Sequence, residues 1–156
     1  MKQIIWLVIC LFVPWSLHAQ KKPGEVATIK SVVVAGETKP GASVTVLIEV
    51  AVEKDYQLQS HKPSNPDLIP TVLTLNLPRG VKAGSIKYPD GKSEKGKGPV
   101  YEKQFQISVP LKLSQDAVLP LKVPATLTYQ ACRGVICSRP QDLKFEIELS
   151  PAVKEK

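Results

Sequence analysis

Five stretches of this chain alternate apolar and polar residues with a period of two, and that pattern rules out most folds. Val44, Val46, Ile48, Val50 and Val52 share one face, with Thr45 and Glu49 on the other. Leu73, Leu75 and Leu77 alternate with Thr74 and Asn76. Phe105, Ile107, Val109 and Leu111 alternate with Gln104, Gln106 and Ser108. Leu119, Leu121, Val123, Ala125, Leu127 and Tyr129 alternate with Lys122, Thr126, Thr128 and Gln130, and Leu143, Phe145, Ile147 and Leu149 with Lys144, Glu146 and Glu148. An α-helix needs a 3.6-residue repeat, so these segments predict strands of antiparallel sheets with one buried and one wet face. A further strand over 26–34 carries Ile29 and ends in Val32-Val33-Val34. Turn-forming residues separate the segments at 36–41, 63–70, 78–80 and 89–91. About seven short strands at this spacing predict an all-β fold, an immunoglobulin-like antiparallel β-sandwich. Its core spans about 26–149, with no repeat, linker or second domain.

The first 19 residues read as a secretory signal. Lys2 supplies the positive charge, 4–13 an apolar run, and Ala19 the small residue before the expected cut. The apolar run is about ten residues, half of what a bilayer-spanning helix needs, so no stable membrane anchor is expected. Residues 20–156 then form one exported domain, located in the periplasm. The net charge is +7, with several lysines in the loop 91–98 (GKSEKGKG). That loop has neither arginine nor interleaved aromatics and reads as a solvated turn, so nucleic acid is not expected as a partner.

Export leaves two cysteines, Cys132 and Cys137, inside YQACRGVICSRP (129–140), since Cys10 lies within the signal. Disulfides form and persist outside the cytoplasm. Residues five apart on one extended strand lie about 16 Å apart, whereas a disulfide needs Cα atoms within about 7 Å. The pair can join only if Arg133-Gly134-Val135-Ile136 turns back, as a hairpin with a four-residue loop and the cysteines at its mouth. That register would oppose Thr126, on a wet face, to Leu143, on a buried one. One extra residue around Ser138-Arg139-Pro140 would restore the parity.

Three readings of the pair stand on the residues alone. A bond closing so small a ring stabilises by only about 2 kcal/mol, against nearly 5 for a 100-residue loop, which brings redox exchange level with a structural staple. A structural disulfide in an envelope binding or assembly module is the alternative. Metal binding is the weakest, because zinc wants four ligands and His61 is the single histidine beside the two thiols. No cofactor is implied.

The string YQACRGVIC, placed after one strand and before a proline-containing return strand, resembles the N-terminal periplasmic domain of the thiol:disulfide interchange protein DsbD and the wider group of stand-alone domains of that type. Members typically read Tyr-Gln-x-Cys, a short loop, Cys, and one or two prolines. Tyr56 and Ser60, Pro70-Thr71, Tyr88-Pro89 and Val100-Tyr101-Glu102 fit the same pattern. The resemblance implies an immunoglobulin-like domain that relays reducing equivalents between a thioredoxin-like partner, or a membrane thiol reductase, and envelope proteins. By position, Cys137 would be the exchanging thiol and Cys132 the resolving one. Three features depart from the pattern: a four-residue loop where DsbD has five, Ser138-Arg139-Pro140 in place of hydrophobic-Pro-Pro, and Tyr88-Pro89-Asp90 where DsbD has a Phe-bearing cap loop. The membrane and thioredoxin-like parts are expected on separate proteins. Arg133 and Arg139 would either favour a thiolate or sit in solvent. No histidine or carboxylate in the motif stands ready as a base.

Overall fold

The computed structural model describes residues 25–93 and 98–151; the signal segment and part of the lysine-rich loop lie outside them. Among the described residues, eleven strands run β1 (Ala27–Ala35), β2 (Ser43–Val52), β3 (Gln57–Gln59), β4 (Val72–Leu75), β5 (Val81–Ala83), β6 (Val100–Tyr101), β7 (Gln104–Leu113), β8 (Leu121–Tyr129), β9 (Ala131–Arg133), β10 (Ile136–Cys137) and β11 (Gln141–Leu149). Their pairing is antiparallel throughout. One sheet has the order β1-β2-β7-β5, another β11-β8-β4, and a third, short one β10-β9-β3-β6. Inward side chains of the first two meet in one core that joins Val46, Ile48 and Ile107 to Val123, Leu127 and Ile147. This is the all-β, immunoglobulin-like sandwich that the alternation predicts. The additional strands are pieces of two or three residues, too short to show a period. Among the described residues no helix is long and apolar enough to cross a membrane.

The inward and outward faces follow the pattern closely. Val44, Val46, Ile48, Val50 and Val52 are buried, as are Phe105, Ile107, Val109 and Leu111, while Gln106 and Lys144 are exposed. Two ends differ from the expectation. β4 stops at Leu75, where the Asn76 N–H is taken by the Pro124 carbonyl, and Leu77 lies exposed beyond the sheet. β8 starts at Leu121, so Leu119 precedes the ladder and is only half-buried. Leu143 and Phe145 are also half-buried, whereas Ile147 and Leu149 further along the same strand are fully buried.

Tyr129, at the end of β8, is the largest fully buried side chain. Its hydroxyl accepts a hydrogen bond from the Ala27 N–H (3.4 Å) and donates to Gln141 Oε1 (2.9 Å), so it ties the starts of β1 and β11 together. Burial raises the phenol above its ordinary 10.0, outweighing the opposing hydrogen bond from Ala27. Tyr88 and Tyr101 are raised, again chiefly by burial. A folded-state pKa above the unfolded one means stability that is complete below about pH 10 and is lost as pH rises towards the folded value. The urea midpoint should therefore hold steady from pH 7 to 9 and fall above pH 10, and Tyr129→Phe should remove part of that fall. A fall of the same size in Tyr129→Phe would show that this phenol does not contribute.

Candidate redox site

The short sheet positions the cysteines. On β3, Leu58 points into the core and pairs with Ala131, while Gln57 and Gln59 take the opposite face, the one that Cys132 shares. Beyond the end of β8, Gln130 breaks the ladder and β9 begins. Cys132 then pairs with Cys137 and Arg133 with Ile136. The hairpin is tighter than the four-residue loop expected, because pairing continues one rung past the cysteines and leaves a two-residue turn, Gly134-Val135. Gly134 has φ +62° and Val135 has no positive φ, which is the pattern of a type II′ turn and asks for glycine first.

The parity conflict resolves as predicted. Tyr129 pairs with Gln141, so Leu143 faces Leu127, its partner on the buried face. Between that ladder and the cysteine rung, residues 138–140 oppose 130–131, one residue more on the return strand. The bulge is held by the Ser138 N–H donating to the Ala131 carbonyl (2.8 Å) and by Gln130 Nε2 donating to the Ser138 carbonyl (3.2 Å).

Cys132 and Cys137 form a disulfide with S–S 2.08 Å, χ3 102° and Cα atoms 4.0 Å apart. The two sulfurs have different surroundings. Cys132 is 1% exposed, because β9 lies between β10 and β3. Cys137 is exposed, because β10 is the sheet edge. Next to it the turn carries two apolar residues into solvent, Val135 at 96% and Ile136 at 76%.

A cleft of about 430 Å³ reaches both cysteines, with Gln59, Ser64, Asn65 and Leu68 among its walls. Gly98 closes one side against Ser64: a Cβ there would stand 2.6 Å from Ser64 Oγ. The loop from Ser60 to Thr71 that forms this wall is pinned at both ends. The Thr71 N–H donates to the Ser60 carbonyl and Thr71 Oγ1 to the Gln59 carbonyl, while the Ile69 N–H donates to Gln130 Oε1 (3.0 Å). Gln130 thus spans the loop and the bulge with one side chain. Gln59 donates from Nε2 to Cys132 Sγ at 3.2 Å and is itself 5% exposed. Gln59 does not stand out in the sequence, because it sits in a three-residue strand too short for its facing to be read. Gln130 is legible as an outward residue and as part of the Tyr-Gln-x-Cys string, but its partners at Ile69 and Ser138 are not.

Tyr88 is not over the disulfide. Its ring stacks on His61 (centroids 3.8 Å, planes 7° apart) and its hydroxyl accepts from the Leu73 N–H, in a separate pocket with Ser60, Pro89 and Tyr101. The place that the resemblance assigns to a cap is bordered here by Ser64, Asn65 and Leu68. Arg133 is one residue from Cys132, but its guanidinium lies 5.8 Å from the centre of the Tyr56 ring. Successive residues of a strand point to opposite faces, so this charge is directed away from the buried sulfur. Arg139 is exposed beside the bulge.

The family model of the thiol:disulfide interchange protein DsbD, N-terminal, matches residues 28–149. Among solved structures, the N-terminal periplasmic domain of ScsB from Proteus mirabilis is 16% identical, with TM-score 0.59 over 86% of this chain. This chain spans about half of that one, 51%. The reduced DsbD N-terminal domain of Neisseria meningitidis is 20% identical, with TM-score 0.44 over 76% of this chain and 86% of that one. The complex between the DsbD N-terminal and PilB N-terminal domains from the same organism matches at 17% identity and TM-score 0.48, over 86% and 94%. No curated protein is significantly similar. The family match covers both cysteines, both sheets and the bulge between them, and the chain belongs to the family of DsbD N-terminal domains.

Proposed function

We propose that the Cys132–Cys137 pair is a redox-active disulfide, and that the domain relays reducing equivalents between a thioredoxin-like partner and other envelope proteins. The difference in exposure across the bond carries this reading: one cysteine is exposed at a sheet edge and the other is buried. A partner thiolate attacks Cys137 Sγ. The bond between the two cysteines breaks, and Cys132 Sγ leaves with the electron pair. A mixed disulfide now joins the partner to Cys137. The partner's second thiolate attacks its own sulfur in that bond and releases Cys137 as a thiolate. The partner ends as a disulfide, and the domain holds two electrons and takes up two protons. The reverse sequence passes them on, with Cys132 resolving the mixed disulfide.

Val135 and Ile136 support the partner class, since exposed apolar residues beside a reactive sulfur suit the apolar rim of another protein's active site. Periplasmic location, cleavage after Ala19, a single domain over 20–156 and a membrane thiol reductase as the electron source belong to the same reading. Its test is the equilibrium of the Cys132–Cys137 pair against glutathione. The expected reduction potential lies above about −300 mV; a lower one would mark a structural bond and favour the assembly-module alternative.

A further inference from the structure

Cys132 is the sulfur that must leave as an anion, and it belongs to the buried cysteine of the pair. An ion in such a place is strongly disfavoured unless a donor meets it. Arg133 is turned to the Tyr56 ring, and among the described residues lining the cleft no side chain apart from the two cysteines ionises. One polar hydrogen does reach the sulfur, from the buried Gln59 amide at 3.2 Å. The amide is held by its backbone: the Gln59 N–H donates to the Gln130 carbonyl, and the Gln59 carbonyl accepts from Thr71 Oγ1. In the oxidised protein a disulfide sulfur is a weak acceptor and gains little from it.

We infer that Gln59 is a positioning residue for the exchange, holding its amide N–H on Cys132 Sγ so that this sulfur can depart as a thiolate. The inference rests on the proposed exchange and names what makes its buried leaving group competent. When a thiolate attacks Cys137, charge moves to Cys132 Sγ, and the hydrogen bond strengthens as the charge arrives. The electron pair of the broken bond stays on Cys132 until a proton from solvent neutralises it. A leaving thiol of lower pKa departs faster, so the amide accelerates ring opening without touching the attacking group.

The test uses Gln59→Met, which keeps the length and removes the donor, and Gln59→Glu, which replaces it with an acceptor. Reduction of the oxidised protein by dithiothreitol should be about tenfold slower in Gln59→Met and slower still in Gln59→Glu, the size expected for one hydrogen bond to a charged group. In a Cys137→Ser background the thiolate absorbance of Cys132, followed against pH, should move upward by about one pH unit with Gln59→Met. Unchanged rates and an unchanged titration in folded variants would overturn the inference. Should both variants fail to fold, the side-chain amide resonance of Gln59 in the otherwise unaltered Cys137→Ser protein decides. It should shift with the Cys132 titration, and a flat response overturns the role. Dithiothreitol needs no protein partner, so a null result here is distinct from failure of the relay, which shows as a pair that dithiothreitol opens and no protein partner does.

Discussion

A Cys132→Ser variant should accumulate a covalent complex with a thioredoxin-like protein through Cys137, while Cys137→Ser should trap almost none. Cys137 is exposed on the edge strand β10, whereas Cys132 is buried in the cleft walled by Ser64, Asn65 and Leu68, so on the proposed exchange a partner attacks Cys137. Removing Cys132 takes away the group that resolves the mixed disulfide and leaves the accessible one in place. Removing Cys137 leaves a thiol that a second protein reaches only by entering the cleft. Turnover should be lost in both variants, and the trapped species separates them on non-reducing gels. Folding should survive, because so small a ring contributes only about 2 kcal/mol. Equal trapping by the two variants would reverse the assignment of roles. No trapping at all, with a domain that unfolds once reduced, would make the bond structural.

The second large effect is on stability. Ile48→Ala should cost about 2–5 kcal/mol, enough to unfold a marginal domain at physiological temperature. Ile48 is fully buried in β2 and lies in register between Val32 on β1 and Ile107 on β7, near the middle of the largest sheet. Truncation there leaves a cavity that two hydrogen-bonded neighbours prevent from collapsing. Ile136→Ala is the matched control: the same loss of apolar volume at a residue 76% exposed should change the unfolding free energy by no more than about 0.5 kcal/mol. A cost below about 1 kcal/mol for Ile48→Ala would mean that the two sheets do not share the core described here.

The sandwich was legible in the chain because its long strands obey a local rule. In β2 and β7, each residue's facing depends on its neighbours two places away, and the inward valines and isoleucines print that period directly. The bulge was legible for the same reason: parity is counted along the chain, and Thr126, Leu143 and the two cysteines made an inconsistent count that one extra residue repairs. The resemblance placed the cysteines, and their spacing required the turn.

What lay beyond the sequence were the properties that neighbours confer. Cys132 and Cys137 are equivalent as letters. Only the order β10-β9-β3 makes one a covered interior sulfur and the other an edge. Tyr88, a plausible cover by position, is drawn instead onto His61 and the Leu73 N–H. The Gln59 amide reaches Cys132 from 73 positions earlier. Period and turn chemistry act between residues near in sequence, so the chain alone determined the long strands, the reversal between the cysteines and the bulge. Burial and hydrogen bonding act between residues near in space, so the tertiary structure decided which sulfur is exposed and what stands beside the other.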